Sequence, residues 1–315
     1  MPTNACNLSC RLKQSYRYLL GLFILIAFVA LIENFVGWGK LLTPWLSLSV
    51  GAAATALALT MISYFARAWR FYDYFRSEMR GAFGLCFKLM LQHNVLNNFL
   101  PMRSGEISFP ILMARYFSVP AIRSVPALLW FRLLDLHTLG LLALAAAPLW
   151  TEHYLLIALA ILLWAPLPWL GFLYGDRALQ NLAARLPPKA QKLALQIRDG
   201  LPNQTSLFWR AWAWTVANWL VKLIGFAWVL LLFADLPLFV AWLGAIGGDL
   251  SSVLPIHGIA GVGTFEAGVV AAMAPFGVPL QTGTLAAVNL HLFVLGTSVL
   301  GGAAALLIAR GARHG

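Results

Sequence analysis

Apolar runs too long for a water-soluble core recur along the chain. About 20 apolar residues suffice to cross a bilayer. Six segments have that character, at about 18–36, 44–66, 125–150, 154–174, 209–233 and 284–309. Two further apolar segments are interrupted. The first, at about 83–117, breaks at Leu100-Pro101 and goes on Met102-Arg103-Ser104-Gly105-Glu106. The second, at about 236–275, breaks at Leu254-Pro255 and passes through Gly258, Gly261 and Gly263 to Glu266. Each then runs into a similar close, Phe117-Ser118-Val119-Pro120 and Phe276-Gly277-Val278-Pro279, 159 residues apart. This shared order predicts an internal repeat. Paired Gly/Pro-broken apolar segments in two halves point to the binding site of a carrier built from repeats.

The pattern predicts an all-α, polytopic membrane protein: about six spanning helices plus two broken re-entrant helical hairpins in inverted repeats. Residues 1–315 read as a single integral membrane domain, with repeats at about 18–150 and 154–309. The longest polar stretch, 176–206, is too short for a core of its own. It is expected to hold an amphipathic helix on the membrane surface. The first apolar run reads as a span rather than a cleavable signal, since no small-residue cleavage site follows it.

Charge fixes the expected orientation. Suppose each broken segment enters and leaves on one side. The N-terminus, a loop with Arg67, Arg70, Arg76 and Arg80, Arg123, the 176–206 stretch and the C-terminus then share a face. Lys40 is left on the other. Lysine and arginine hold short loops in the cytoplasm, so both termini are expected there, in a cell inner (plasma) membrane. Three full spans separate the two hairpins. An odd number turns the second upside down relative to the first, so that their tips meet near the midplane.

Composition agrees. Hydrophobic residues make up 61% of the chain and charged residues 10%, against about 25% charged in soluble domains. The net charge of +11 does not imply nucleic acid, because the basic residues sit in short loops facing anionic lipid. Three cysteines are too few for a disulfide framework.

Ionisable residues inside apolar segments carry the chemistry. They are Lys88, Arg103, Glu106, Arg132, Asp135, Lys222, Asp249 and Glu266. Each costs about 2.5–3.5 kcal/mol at a helix centre, so each should pair or face a cavity. Arg132 and Asp135 are one turn apart and can pair locally. Lys88 and Lys222 can snorkel. Glu106 and Glu266 follow helix breaks, where a carboxylate suits the positive end of the next half-helix. Ser104 or Thr264 can cap that half-helix. Capping alone would explain either glutamate. The functional reading adds Arg103, whose guanidinium beside two half-helix N-termini suits a phosphate. Asn97, Asn98, Ser252 and His257 offer hydrogen bonds, and Gly105, Gly261 and Gly263 allow close backbone approach. Together with Arg132, Asp135 and Asp249, these form the candidate substrate site.

No catalytic set and no metal-ligand spacing is legible. His291 reads as a satisfied interior residue, and Trp209, Trp212, Trp214 and Trp219 as interfacial anchors. The glycine run lacks the βαβ context of a dinucleotide site. No cofactor is expected.

The segment Leu100–Glu106 with Arg115 downstream resembles the first signature of the lysylphosphatidylglycerol synthase transmembrane-region family. Arg132 and Asp135 fit its style. Pro255 through Gly261, Gly263 and Glu266 resembles its second, glycine-rich signature, although Pro255-Ile256-His257-Gly258 stands where more glycine is usual. The resemblance covers about residues 15–310. It implies a flippase-like membrane domain, which in some members is fused to a cytoplasmic aminoacyl-transferase. No such transferase is read in residues 1–315, so an enzyme is not expected. The expectation is an inner-membrane lipid translocase that moves a phospholipid or isoprenoid-linked lipid with an anionic headgroup between leaflets. Its partners would be membrane lipids and a separate envelope-lipid synthase. The alternative is a membrane-embedded lipid-modifying transferase, or a subunit of an envelope-lipid synthesis machine.

Overall fold

The computed structural model describes residues 33–34, 37–185, 187–251 and 259–308. The first expected span, 18–36, therefore lies almost wholly outside the described residues. Those described form thirteen α-helices and no strand. α1 is Trp38–Leu46 and α2 Val50–Tyr74, the latter opened by Ser49, whose Oγ accepts the Ala52 N–H at 3.1 Å. The short α3, Arg76–Met79, ends at Arg80 in the left-handed region. α4 (Phe83–Phe99), a 3-10 turn (Pro101–Ile107) and α5 (Ser108–Phe117) make the first broken hairpin. α6 spans Ala121–Ala146. α7 (Tyr154–Trp164) and α8 (Leu167–Ala183) are separated at Pro166, and α9 is Pro188–Arg198. α10 covers Thr205–Phe233. α11 (Leu238–Ser251) and α12 (Thr264–Met273) are the arms of the second break, and α13 is Leu280–Leu307.

Among the described residues, five segments are long and apolar enough to cross a membrane: Val50–Tyr74, Ala121–Leu149, Tyr154–Gly175, Thr205–Phe233 and Leu280–Leu307. They coincide with five of the six expected spans. The hairpin arms differ in kind. α5 and α12 have 10 residues each, about 15 Å at 1.5 Å per residue, against a hydrocarbon core of about 30 Å. Arms of that length fall short of the hydrocarbon core, while their partner arms α4 and α11 have 17 and 14 residues.

The outcome departs from expectation at the end of α2. Arg67, Arg70 and Asp73 are not in a loop, because the helix continues to Tyr74. Arg70 is buried there. Charged side chains do not end a helix when neighbouring helices supply partners, and this one has them.

Two sets of apolar side chains hold the fold. α2, α4, α5 and α6 meet over Phe71, Phe75, Phe109, Met113, Phe131 and Leu134. α10 to α13 meet over Leu223, Leu230, Ala241, Val269, Met273 and Leu290. Each set encloses one broken hairpin. Within the second hairpin, Gly247 and Gly268 face each other so closely that a Cβ on either would overlap the other's carbonyl oxygen. Outward leucines such as Leu155, Leu162, Leu163 and Leu307 are strongly exposed. A soluble monomer rarely shows apolar patches of that extent, and lipid is what they suit.

Candidate functional site

The two breaks touch, the turn Pro101–Ile107 packing against Ile259–Gly261. Beside this contact lies a polar cavity of about 1240 Å³ of atom-free space, counting its open mouth. It is lined from both halves, by α2, α4, α6, α10, α11, the second break and α13.

Asp135 is the hub of the charge network. It is 5% exposed and accepts from Arg70 Nη1 at 2.6 Å, Trp219 Nε1 at 2.9 Å and Arg132 Nη1 at 3.2 Å. Arg132 reaches the other way to Glu106 Oε1 at 2.6 Å. The expected one-turn pair thus exists, but the shorter contacts are with Arg70 and Glu106 on other elements. Trp219, grouped by sequence with the interfacial anchors, serves inside the cavity instead. Across it, Lys222 Nζ bonds Asp249 Oδ1 at 2.6 Å and lies 4.8 Å and 4.9 Å from the Trp219 and Phe226 ring centroids. Lys222 is paired, so it does not snorkel. Lys88 donates to the Ile308 carbonyl.

Arg67 differs from these cations. Its Nη1 donates to Asn94 Oδ1 at 2.9 Å, and no carboxylate pairs with it among the described residues. Asn94 is fixed as that acceptor, since its Nδ2 donates to Tyr64 Oη at 3.0 Å and Ser298 Oγ at 3.3 Å. Around the cavity Arg67, Arg70, Arg132 and Lys222 face Glu106, Asp135 and Asp249, and Glu266 has its own partner. Among these described side chains, the cation with no carboxylate partner is Arg67, half-buried in the cavity wall. Asn97 Oδ1 and Arg132 Nε, buried in the same region, have no hydrogen-bond partner among the described residues. Buried polar atoms left unmatched by protein are matched by water or ligand.

The second break is held by a different pair. Gly263 is the N-cap of α12, and its N–H donates to Glu266 Oε2 at 2.8 Å. The capping expected of Glu266 is therefore present, with Gly263 rather than Thr264 as N-cap residue. The other carboxylate oxygen, Oε1, lies 2.6 Å from His291 Nδ1 on α13. His291 Nε2 lies 2.8 Å from the carbonyl oxygen of Ala260. Ala260 is left-handed at φ 55, a conformation costing a non-glycine residue about 1–2 kcal/mol. His291 thus holds a strained turn and a half-helix cap at once.

Of the residues expected at the site, Asn97, Asn98, Arg132, Asp135, Asp249 and Gly261 line the cavity, and Glu106 and Glu266 reach residues that line it. Ser104 lies in the first break. Gly105 faces backbone rather than the cavity: a Cβ there would overlap the main chain of Leu96 and Asn97. Gly263 caps α12. Ser252, His257 and the side chain of Arg103 lie outside the described residues. Sequence reasoning passed over Arg67, Lys222, Trp219 and His291 as site residues. The signals available were the charge of Lys222 inside an apolar segment and the place of His291, which stands 159 residues after Arg132, the same interval that separates the two Val-Pro closes.

Among the described residues no group of three or more His, Cys, Asp or Glu is placed to hold a metal ion. Comparison with curated proteins and with solved structures returns no match. Residues 18–302 match the family described as the lysylphosphatidylglycerol synthase TM region. With its all-helical membrane fold and two broken hairpins meeting at a charged cavity, the chain belongs to that family of membrane proteins linked to lipid handling.

Proposed function

We propose that the protein is an inner-membrane lipid translocase that carries an anionic lipid headgroup between leaflets through the central cavity. The observation behind it is Arg67, a guanidinium facing a cavity lined from both halves, with no carboxylate partner among the described residues. A guanidinium in that setting suits a phosphate or phosphodiester, which it can grip with two parallel hydrogen bonds. The headgroup would be held between Arg67, the Asn97 and Asn98 amides and the Lys222–Asp249 pair, with acyl or isoprenoid chains left in the bilayer. Arg103 at the first break is a second proposed phosphate ligand. The repeats at 18–150 and 154–309 would be inverted, and rocking of one against the other would expose the cavity to each side in turn. Both termini would be cytoplasmic, with Arg76, Arg80, Arg123, Arg185 and Arg198 on that side.

The test is movement of a fluorescent phosphatidylglycerol in reconstituted vesicles, with the outer leaflet bleached by an impermeant reductant. The wild-type protein should move the lipid and leave it chemically unchanged by mass spectrometry. Arg67→Ala should weaken binding about 10- to 100-fold, the worth of a charged hydrogen bond of about 1.5–3 kcal/mol. Arg67→Lys should recover only part of it. A lipid recovered with a new or missing group would replace this reading with that of a lipid-modifying transferase.

A further inference from the structure

The two halves each carry a glutamate at the break, held by a base from the following long helix. In the first half Glu106 pairs with Arg132, the twelfth residue of α6 counted from Ala121. In the second, Glu266 pairs with His291, the twelfth residue of α13 counted from Leu280. Both helices start directly after the matching Val-Pro closes, at N-cap residues Pro120 and Pro279. The pairs therefore occupy equivalent places. They differ in one chemical respect: arginine keeps its charge at any pH a protein meets, whereas histidine exchanges a proton within the physiological range.

The hydrogen-bond geometry offers a place for that proton. A backbone carbonyl can only accept, so Nε2 of His291, 2.8 Å from the Ala260 oxygen, carries a hydrogen. Nδ1 faces a carboxylate oxygen at 2.6 Å. Two lone pairs cannot meet at that distance, so a second proton lies between Nδ1 and Oε1. The Gly263 N–H on Oε2 and the positive end of α12 both favour carboxylate on the glutamate. A proton held at this contact on Nδ1 makes the pair imidazolium and carboxylate. Glu266 and His291 are 6% and 5% exposed, and His291 borders the cavity.

We infer that Glu266–His291 is a proton-binding site that couples movement of the anionic substrate to protons, while Glu106–Arg132 is its fixed counterpart. This rests on the translocase reading above. While Glu266 on α12 meets His291 on α13, Nδ1 holds a proton. When the pair parts, the Nδ1 proton leaves to cavity water, giving neutral imidazole and a solvated carboxylate. The other charged or titratable groups on the surrounding elements are already engaged. Lys88 on α4 bonds the Ile308 carbonyl, and His93 Nδ1 bonds Ser108 Oγ at 2.8 Å. Lys222 on α10 is paired with Asp249 on α11, and Arg132 and Asp135 on α6 with each other and with Glu106 and Arg70. Arg67 on α2 lines the cavity too but is permanently charged. Among the described pairs at the cavity, His291 supplies the one histidine, the side chain whose charge can change near neutral pH.

The experiment uses wild-type protein and His291→Arg, which turns the second pair into a copy of the first. Two measurements are made. In vesicles carrying fluorescent phosphatidylglycerol, wild-type movement should change with the direction of an imposed pH gradient, and the response should vanish in His291→Arg. In purified protein without transport, infrared difference spectra between about pH 5 and 8 should show an imidazolium band that His291→Arg removes. A wild-type rate indifferent to the gradient, or an equal response in the variant, overturns the coupling. Spectra of wild type and variant that coincide overturn the proton site, whether or not any lipid moves. Absence of lipid movement with the His291 band present would instead defeat the translocase reading and leave the proton site standing.

Discussion

Asp135→Asn is the substitution with the largest expected effect on stability. It removes one negative charge and almost no volume. The wild-type carboxylate neutralises Arg70, which is 2% exposed, donates to Asp135 and Thr215, and lies 4.5 Å from the Phe131 ring centroid. Arg132 keeps Glu106 after the change, but Arg70 has no second carboxylate among the described residues. Breaking a buried pair by removing one partner costs about 3–5 kcal/mol, because the other charge stays behind without compensation. At about 2.1 cal/mol/K of unfolding entropy per residue, 1 kcal/mol moves Tm of a 315-residue chain by about 1.5 °C, so the loss should be about 4–8 °C by thermal unfolding of purified protein. Adding Arg70→Met removes the stranded charge and keeps an unbranched apolar chain in its place. The double variant should regain most of the loss, since buried pairs are often replaced by apolar residues without penalty. The reasoning fails if Asp135→Asn costs less than about 1 kcal/mol, or if the double variant unfolds as early as the single one.

Two further outcomes follow from the packing and the charges. Gly247→Ala should cost about 1–3 kcal/mol in thermal unfolding, because the added methyl meets the Gly268 carbonyl oxygen and Ala272 Cβ. On an open helix face the same change would stabilise by up to about 1 kcal/mol, and such a gain would show that the hairpin arms are not in contact. A single cysteine at the exposed Gln191 on α9 should resist an impermeant thiol reagent added to intact cells. Labelling there would reverse the proposed orientation.

Much of this protein is legible in its sequence, because a bilayer makes strong local demands. Length and apolarity located the spans 125–150, 154–174 and 209–233 within a few residues of Ala121–Leu149, Tyr154–Gly175 and Thr205–Phe233. The Leu-Pro break located the first hairpin turn, since proline cannot continue the hydrogen-bond ladder. The spans read from 125 and 284 begin four residues earlier in the structure, at Ala121 and Leu280, directly after the two Val-Pro closes. The cost of an ionisable group in hydrocarbon likewise marked Arg132, Asp135, Lys222, Asp249, Glu106 and Glu266 as interior residues before any partner was known.

Partnership was decided only by tertiary structure. Whether Asp135 meets Arg132 alone, or Arg70 and Trp219 as well, depends on how α2, α6 and α10 are rotated against one another, and no run of residues encodes a rotation. The end of α2 illustrates the same point. Charge density suggested a loop from Arg67, yet the helix runs on because Asp135, Thr215 and Asn94, from three other helices, receive its arginines. Gly105 looked like room for a ligand and is instead room for the backbone of Leu96 and Asn97. His291, 25 residues from Glu266, acquired its role when α13 packed beside α12 and brought an imidazole within hydrogen-bond distance of a cap. A single chain can announce which polar groups must be satisfied inside a membrane. Which of them satisfy each other is settled by the packing of helices distant in sequence, and among the described residues that packing gives Arg67 an amide, Asn94, and no carboxylate.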